Sequence, residues 1–230
     1  MANSILHLCF EMEVEMEEER MEVFLEMFRE EPPVYIRELE RHARENGVPV
    51  IRRGTGDVLR YLLRTKKPKH ILEVGTAVAY SALYMKEYMP QDAAITTIEK
   101  VQMRLREARK NLSEYDKEGK ICLIEGDASD VLHQLAEKKR RFDFIFLDAA
   151  KGQYLSFLPD IMKLLVENGT LISDNILHEG DVLQSRYAVT RRDRTIHARM
   201  REYLEVLVHH EELETICLPV GDGITISTKR

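Results

Sequence analysis

The 230-residue chain is 44% apolar and 32% charged, which excludes collagen-like, mucin-like and wholly disordered classes and leaves a folded protein with enough length for a sizeable core. Its formal charge of −6 is carried by one segment: residues 11–31 hold ten Glu against two Arg, whereas residues 32–230 hold 30 acids and 32 bases. The longest apolar stretches are strand-sized, far short of the roughly 20 residues a membrane-spanning helix needs, and the first ten residues carry no Lys or Arg, so a cytoplasmic chain without a secretory signal or membrane span is expected.

In chain order, the acidic segment places Met21, Phe24, Leu25 and Phe28 at helical spacing with Glu on the other face, and Pro32 and Pro33 end it. A second short helix is predicted through VYIRELERHARENG, with Gly47 as a left-handed cap and Pro49 just beyond. Residues 1–47 thus read as a helical extension, and 48–230 as a single α/β core. From residue 70 onward, short β-branched runs alternate with helical segments, the pattern of βαβ units and a mainly parallel sheet. Strands are predicted at 70–75, 94–99, 120–126, 142–148 and 169–175. A long amphipathic helix follows, with Ile196, Met200, Tyr203, Leu204 and Leu207 on one face. Two final runs, ELETICLPV and GITISTK, flank Gly221-Asp222-Gly223 and predict an antiparallel hairpin. Cys9, Cys122 and Cys217 are scattered and contain no CxxC pair, so neither a disulfide framework nor a zinc site is suggested; they read as buried small apolar residues.

Ligand-facing groups gather at the predicted strand ends. The first strand runs into Glu73-Val74-Gly75-Thr76 and a helix begins near Tyr80-Ser81, a turn that lies at the carboxyl edge of a parallel sheet, where ligands bind. Glu99 ends the second strand, 26 residues after Glu73, where a carboxylate can accept hydrogen bonds from both ribose hydroxyls. The third strand runs into Gly126-Asp127-Ala128, a polar turn suited to face an adenine ring. A nicotinamide or flavin dinucleotide would call for GxGxxG to bring backbone amides against a pyrophosphate. The chain offers E-V-G-T-A-V-A instead, with one Gly, which suits a cofactor without phosphates.

The strings ILEVGTAVAYSA, FIFLDAAKGQY, LISDNILHEG and PVGDGITIS, in this order over roughly residues 45–230, resemble the cation-dependent O-methyltransferase family that includes catechol and caffeoyl-CoA O-methyltransferases. The resemblance implies a Rossmann-like, seven-stranded, mostly parallel sheet with helices on both faces, S-adenosylmethionine as cofactor, and a homodimer. It implies cofactor contacts from Val50, Glu73, Gly75, Thr76, Tyr80, Ser81, Glu99, Asp127, Ala128 and Asp148. It further implies that Asp148, Asp174 and Asn175 ligate a divalent cation, and that Lys151, beside Asp148, is the general base. Two carboxylates and an amide oxygen are a hard, oxygen-only set suited to Mg²⁺ or another divalent cation. One departure is visible: the family pattern has Gly where this chain has Ala79, which matters only if that position needs positive φ.

Within the family, DAAKGQY, the DNIL-HEG loop and RRDRTIHARMREY are most similar to bacterial tRNA 5-hydroxyuridine methyltransferases. Six arginines between residues 186 and 201 (Arg186, Arg191, Arg192, Arg194, Arg199 and Arg201) form a candidate phosphate-binding surface for tRNA. The alternatives are a small phenolic acceptor, with the arginines as a solvated helix face, and a cofactor-binding module without catalysis.

Overall fold

A computed structural model describes residues 20, 21, 23–177, 181–185, 187–191 and 193–230. The predicted contacts at Arg186 and Arg192 lie outside the described residues, as does Cys9. Two compact units are present, residues 1–33 and 34–230. In the first, residues 20–21 and 23–26 are helical and the Phe24 and Phe28 rings meet edge to face at 5.1 Å. Met21, Phe24, Leu25 and Phe28, the predicted apolar face, are all exposed.

The second unit starts with α1 (Val34–Glu45) and α2 (Arg53–Lys66). Gly47 has φ +67 and its neighbour Val48 donates back to the Ala43 carbonyl, the left-handed termination that the sequence predicts. α1 is no mere appendage: Ile36, Leu39 and Ala43 are buried in the core. α2 is not among the elements predicted from sequence. It buries Leu59, Leu62 and Leu63 and ends on Lys67 in the left-handed conformation.

Seven strands follow with their intervening helices: β1 (His70–Val74), α3 (Tyr80–Tyr88), β2 (Ala94–Glu99), α4 (Gln102–Tyr115), β3 (Ile121–Glu125), α5 (Ala128–Glu137), β4 (Phe142–Leu147), α6 (Tyr154–Leu164), β5 (Leu165–Ser173), α7 (Arg194–Val208), β6 (Leu213–Leu218) and β7 (Ile224–Lys229). They form one sheet in the order β3-β2-β1-β4-β5-β7-β6, parallel through β5, with β7 antiparallel to both β5 and β6. The fifth strand starts four residues earlier than predicted. The pairing of β5 with β4 shifts register at Phe142/Phe144, and Asn168, at φ +60, absorbs the irregularity that made VENG resemble a loop.

Alternation along the strands divides the core into two layers. Leu72, Val74, Ile145 and Leu147 pack towards α5, α6 and α7, whereas Ile71, Phe144, Phe146 and Ile172 pack towards α1, α2 and α3. Contrary to expectation, Cys122 and Cys217 are exposed. Both lie on the edge strands β3 and β6, where one outward position in two stays open to solvent. Among the described residues, no helix is long and apolar enough to cross a membrane.

Candidate active site

Strand order reverses between β1 and β4, which makes their carboxyl ends the natural ligand crevice of an open parallel sheet. Register brings the site residues into line there. Val74 pairs with Ile98 and with Leu147, and Leu147 pairs with Ser173, so the next residues along, Gly75, Glu99, Asp148 and Asp174, emerge side by side. Backbone bonds carry the ladder one step past the strands, from Asp148 N to the Val74 carbonyl at 3.0 Å and from Asp174 N to the Leu147 carbonyl at 2.9 Å.

These ends open into a cavity of about 780 Å³. Of the sequence-predicted residues, Val50, Gly75, Glu99, Asp127, Ala128, Asp148, Lys151, Asp174 and Asn175 line it. Glu73, Thr76, Tyr80 and Ser81 do not. They are buried behind the wall, and strand parity gives the reason: Glu73 shares the orientation of Ile71, towards the layer under α3, not towards the crevice. The Thr97 hydroxyl donates to Glu73 and lies 2.6 Å from the Thr76 hydroxyl. Burial pushes the Glu73 carboxyl up to about 8, against the opposing pull of hydrogen bonds from Ser81 and Thr97. These four residues support the turn from behind.

Glu99 is fixed by three backbone amides: Ala77 donates to Oε2 at 2.9 Å, and Lys100 and Val101 donate to Oε1 at 2.9 and 2.8 Å. The carboxylate is therefore oriented before any ligand arrives. Asp127 caps α5 through the Ser129 amide at 2.9 Å and pairs with Lys100, which holds its carboxyl below the ordinary range. Ala79 is the departure with a structural consequence. Its φ is +66, so this alanine adopts the left-handed conformation for which glycine is better suited, just before α3.

Gly75 has a second role beyond admitting a ligand. At φ +109, a Cβ on it would lie 2.0 Å from the Asp148 carbonyl oxygen, so the absence of a side chain lets the end of β4 close against the turn after β1. Asp148 is placed by that contact. The Asn175 amide nitrogen donates to Asp148 Oδ1 at 3.0 Å, and the Thr55 hydroxyl donates to Asp174 Oδ1 at 3.3 Å. Asn175 itself has φ +58, a conformation that asparagine tolerates better than most side chains.

Asp174 is buried and Asp148 half-buried, and desolvation raises each carboxyl above the ordinary range. Asp174 is pushed up to about 7, first by burial and then by the neighbouring Asp148. Asp148 is raised as well, first by burial, with the Asn175 hydrogen bond and the charges of Lys151 and Arg104 opposing it. Among the described residues no cluster of three His, Cys, Asp or Glu side chains is present, so the candidate cation site is this pair together with an amide.

Two loops carry the site, and Tyr154 joins them. Its hydroxyl is fully buried, 3.1 Å from the Asp174 carbonyl and 3.3 Å from the Leu147 carbonyl, and it accepts from the Ala149 amide at 3.3 Å. A neighbouring bond between Ser173 Oγ and the Tyr203 hydroxyl, 2.6 Å long, ties α7 to the same strand end. The hairpin turn docks from the other side, where Ile176 and Leu177 donate to the Gly223 and Asp222 carbonyls, both at 3.0 Å.

Sequence reasoning missed Arg44, Arg52, Arg104 and Asp222, which also line the cavity. They arrive from the end of α1, the segment before α2, the first turn of α4 and the hairpin turn, separated in sequence and lacking any shared motif. Arg44, Arg52 and Lys100 have side chains more than half exposed, whereas Asp174 is buried and Asp148 half-buried. The cavity is thus acidic at depth and basic towards solvent. Of the predicted arginine surface, Arg191, Arg199 and Arg201 are exposed and Arg194 is half-buried; Arg194, Arg199 and Arg201 also make backbone contacts. Arg194 Nε donates to the Val189 carbonyl at 3.3 Å, Arg199 Nη1 to Gly152 at 2.9 Å and Arg201 Nη1 to Gln184 at 3.4 Å.

Comparison with known proteins shows the family. The O-methyltransferase family model matches residues 26–230. The chain is 31% identical over 181 residues to O-methyltransferase ankF of Aspergillus thermomutatus, covering 72% of this chain and 73% of that protein. It is 32% identical over 177 residues to caffeoyl-CoA O-methyltransferase 1 of Eucalyptus globulus, covering 74% and 71%. The solved structure of the Podospora anserina methyltransferase PaMTH1, bound to S-adenosylhomocysteine, superposes with a TM-score of 0.82 at 25% identity, covering 94% of this chain and 96% of that one. The chain belongs to the O-methyltransferase family and is an S-adenosylmethionine-dependent O-methyltransferase.

Proposed function

We propose that the enzyme methylates one of two adjacent oxygens on its acceptor with the help of a divalent cation, and that the acceptor is 5-hydroxyuridine in tRNA, at the anticodon wobble position. The observation that carries the cation is the pair of carboxyls at neighbouring strand ends, Asp148 half-buried and Asp174 buried, with Asn175 next to Asp174 and bonded to Asp148. Two carboxylates brought together in a low-dielectric site repel each other and resist ionisation, and a hard cation offsets both costs. Asp148, Asp174 and Asn175 would hold it, with Mg²⁺ as the natural choice. When bound, it would supply stabilisation for the negative charge that develops on the acceptor oxygen.

The chain's own residues do the remainder. Glu99 is set to receive the cofactor's ribose hydroxyls, and the turn at Gly126-Asp127-Ala128 to border its adenine. Lys151 begins the turn that follows β4 and lines the same cavity as Asp148, which supports its amine as the group that takes the proton from the acceptor hydroxyl. Attack of the freed oxygen on the sulfonium methyl in line would form the O–C bond as the S–C bond breaks, releasing S-adenosylhomocysteine, and holding the two reactants in near-attack geometry contributes several kcal/mol, up to about 7–11 in favourable cases.

5-Hydroxyuracil presents O4 and O5 on neighbouring carbons, a pair of oxygens that matches the vicinal hydroxyls of a catechol. The tRNA reading is supported by the exposed Arg191 and by the exposed rim cations Arg44, Arg52 and Lys100, which are paired with Glu40, Asp222 and Asp127 and would exchange those carboxylates for phosphates. A small phenolic or phenylpropanoid acceptor is the second reading, favoured by the caffeoyl-CoA relative.

The test is incubation of the purified enzyme with labelled S-adenosylmethionine and total tRNA from cells that lack it, followed by nucleoside mass spectrometry. Label in 5-methoxyuridine is expected. An unlabelled tRNA pool alongside rapid methylation of a catechol would overturn the tRNA acceptor and leave the chemistry in place.

A further inference from the structure

We infer that Arg199 is a positioning residue for Lys151 and acts through the Gly152 carbonyl, instead of serving as a phosphate contact. This rests on the reading of Lys151 as the base. Arg199 projects from the first half of α7, 47 residues beyond Gly152, and donates from Nη1 to its carbonyl at 2.9 Å. A Cβ placed on Gly152 would lie 3.6 Å from the same Nη1, so the guanidinium lies directly over this residue.

Lys151, Gly152 and Gln153 form a single 3-10 turn without a side-chain cap at its start. Short turns of this kind have weak internal hydrogen bonding, so an external donor has a large share in fixing the peptide next to Lys151. A charged donor to a carbonyl is roughly twice as strong as a neutral one. On the far side of the turn, Tyr154 is fully buried and anchored to the Asp174 carbonyl. The turn that starts at Lys151 is thereby held at its Gly152 carbonyl by a guanidinium and at its end by a rigid tyrosine. α7 reaches the other loop too, through the bond from Tyr203 to Ser173, so one helix sets the spacing between the base and the carboxylates.

The same geometry explains why an arginine-rich helix need not be an RNA-binding helix. Arg199 is exposed, and the donor it commits to the Gly152 carbonyl is one that it does not offer to a phosphate.

The experiment compares Arg199→Met and Arg199→Lys with the wild type, using tRNA and pyrocatechol as acceptors at saturating S-adenosylmethionine. Thermal unfolding and cofactor affinity verify the fold. The inference predicts that Arg199→Met lowers kcat at least tenfold on whichever acceptor turns over, changes KM for tRNA less than twofold and leaves the salt dependence of tRNA binding intact. It also predicts a shift in the ascending limb of the pH–rate profile and partial recovery in Arg199→Lys. Amide hydrogen exchange across residues 149–154 gives a readout that needs no turnover, and a tenfold acceleration in Arg199→Met is expected.

A raised KM for tRNA with unchanged kcat and unchanged exchange would overturn the inference and restore the phosphate contact. Wild-type kcat and exchange in Arg199→Met, with Lys151→Ala inactive, would overturn it while leaving Lys151 as the base. Full activity in Lys151→Ala would instead remove the reading on which it rests.

Discussion

Replacing Gly75 with alanine tests how the sheet builds the site, because the effect can be worked from geometry. The new methyl carbon would lie 2.0 Å from the Asp148 carbonyl oxygen and 2.9 Å from its carbon, while the backbone stays at φ +109. Neither neighbour is the end of a flexible side chain, so relief requires the strand ends to part by more than 1 Å. That movement breaks the 3.0 Å bond from Asp148 N to the Val74 carbonyl, worth about 1 kcal/mol. The strained φ adds about 1–2 kcal/mol and overpacking about 1–3 kcal/mol. A loss of roughly 3–6 kcal/mol in stability is therefore expected, measured by urea unfolding. Asp148 would move with its carbonyl, and displacement on the order of 1 Å can cost about 100-fold in turnover. Wild-type unfolding midpoint together with wild-type kcat/KM in Gly75→Ala would refute the claim that this contact positions Asp148.

Glu73→Gln should flatten the pH dependence of stability. The Glu73 carboxyl is raised from an ordinary value of 4.5 to about 8, so its contribution is complete below pH 4.5 and is lost as pH rises through about 8. The wild type should lose up to about 1.4 kcal/mol per pH unit from this group across pH 5–8, and the variant should not; parallel unfolding curves would contradict the assignment. Ala79→Gly should relieve about 1–2 kcal/mol of left-handed strain, less about 0.5–1 kcal/mol for the greater freedom of glycine in the unfolded chain. A small rise in melting temperature is expected, and a fall of several degrees would show that the methyl is needed there for packing.

The parts of this molecule that were legible in the sequence are those with local signals. FDFIFLD and HILEVG announce buried parallel strands by their continuous apolar and β-branched runs, and the Gly-Asp-Gly turn announces the hairpin. Asp148 and the Asp174-Asn175 pair were singled out by the family resemblance, and the runs before them put both at strand ends. α2 escaped notice because its first turn, RGTG, holds two glycines and no capping side chain, although Leu59, Leu62 and Leu63 carry its apolar face. Glu73 shows a different limit. Its position at a strand end was visible, but whether it faced the crevice or the opposite layer depended on strand parity, which only the sheet register fixes. Arg44, Arg52 and Arg104 reach the cavity from separate elements, so no spacing along the chain could have brought them together. The arginines of α7 were read from their density alone, and their contacts with Val189, Gly152 and Gln184 depend on tertiary packing.

The central claim, that the strand-end carboxylates work by holding a divalent cation, is tested most directly by methyl transfer in excess EDTA with and without added Mg²⁺, in the wild type and in Asp174→Ala. The account predicts that EDTA stops turnover of the wild type, that Mg²⁺ restores it, and that Asp174→Ala stays inactive in both conditions while still binding S-adenosylmethionine. Undiminished methyl transfer by the wild type in excess EDTA would contradict it.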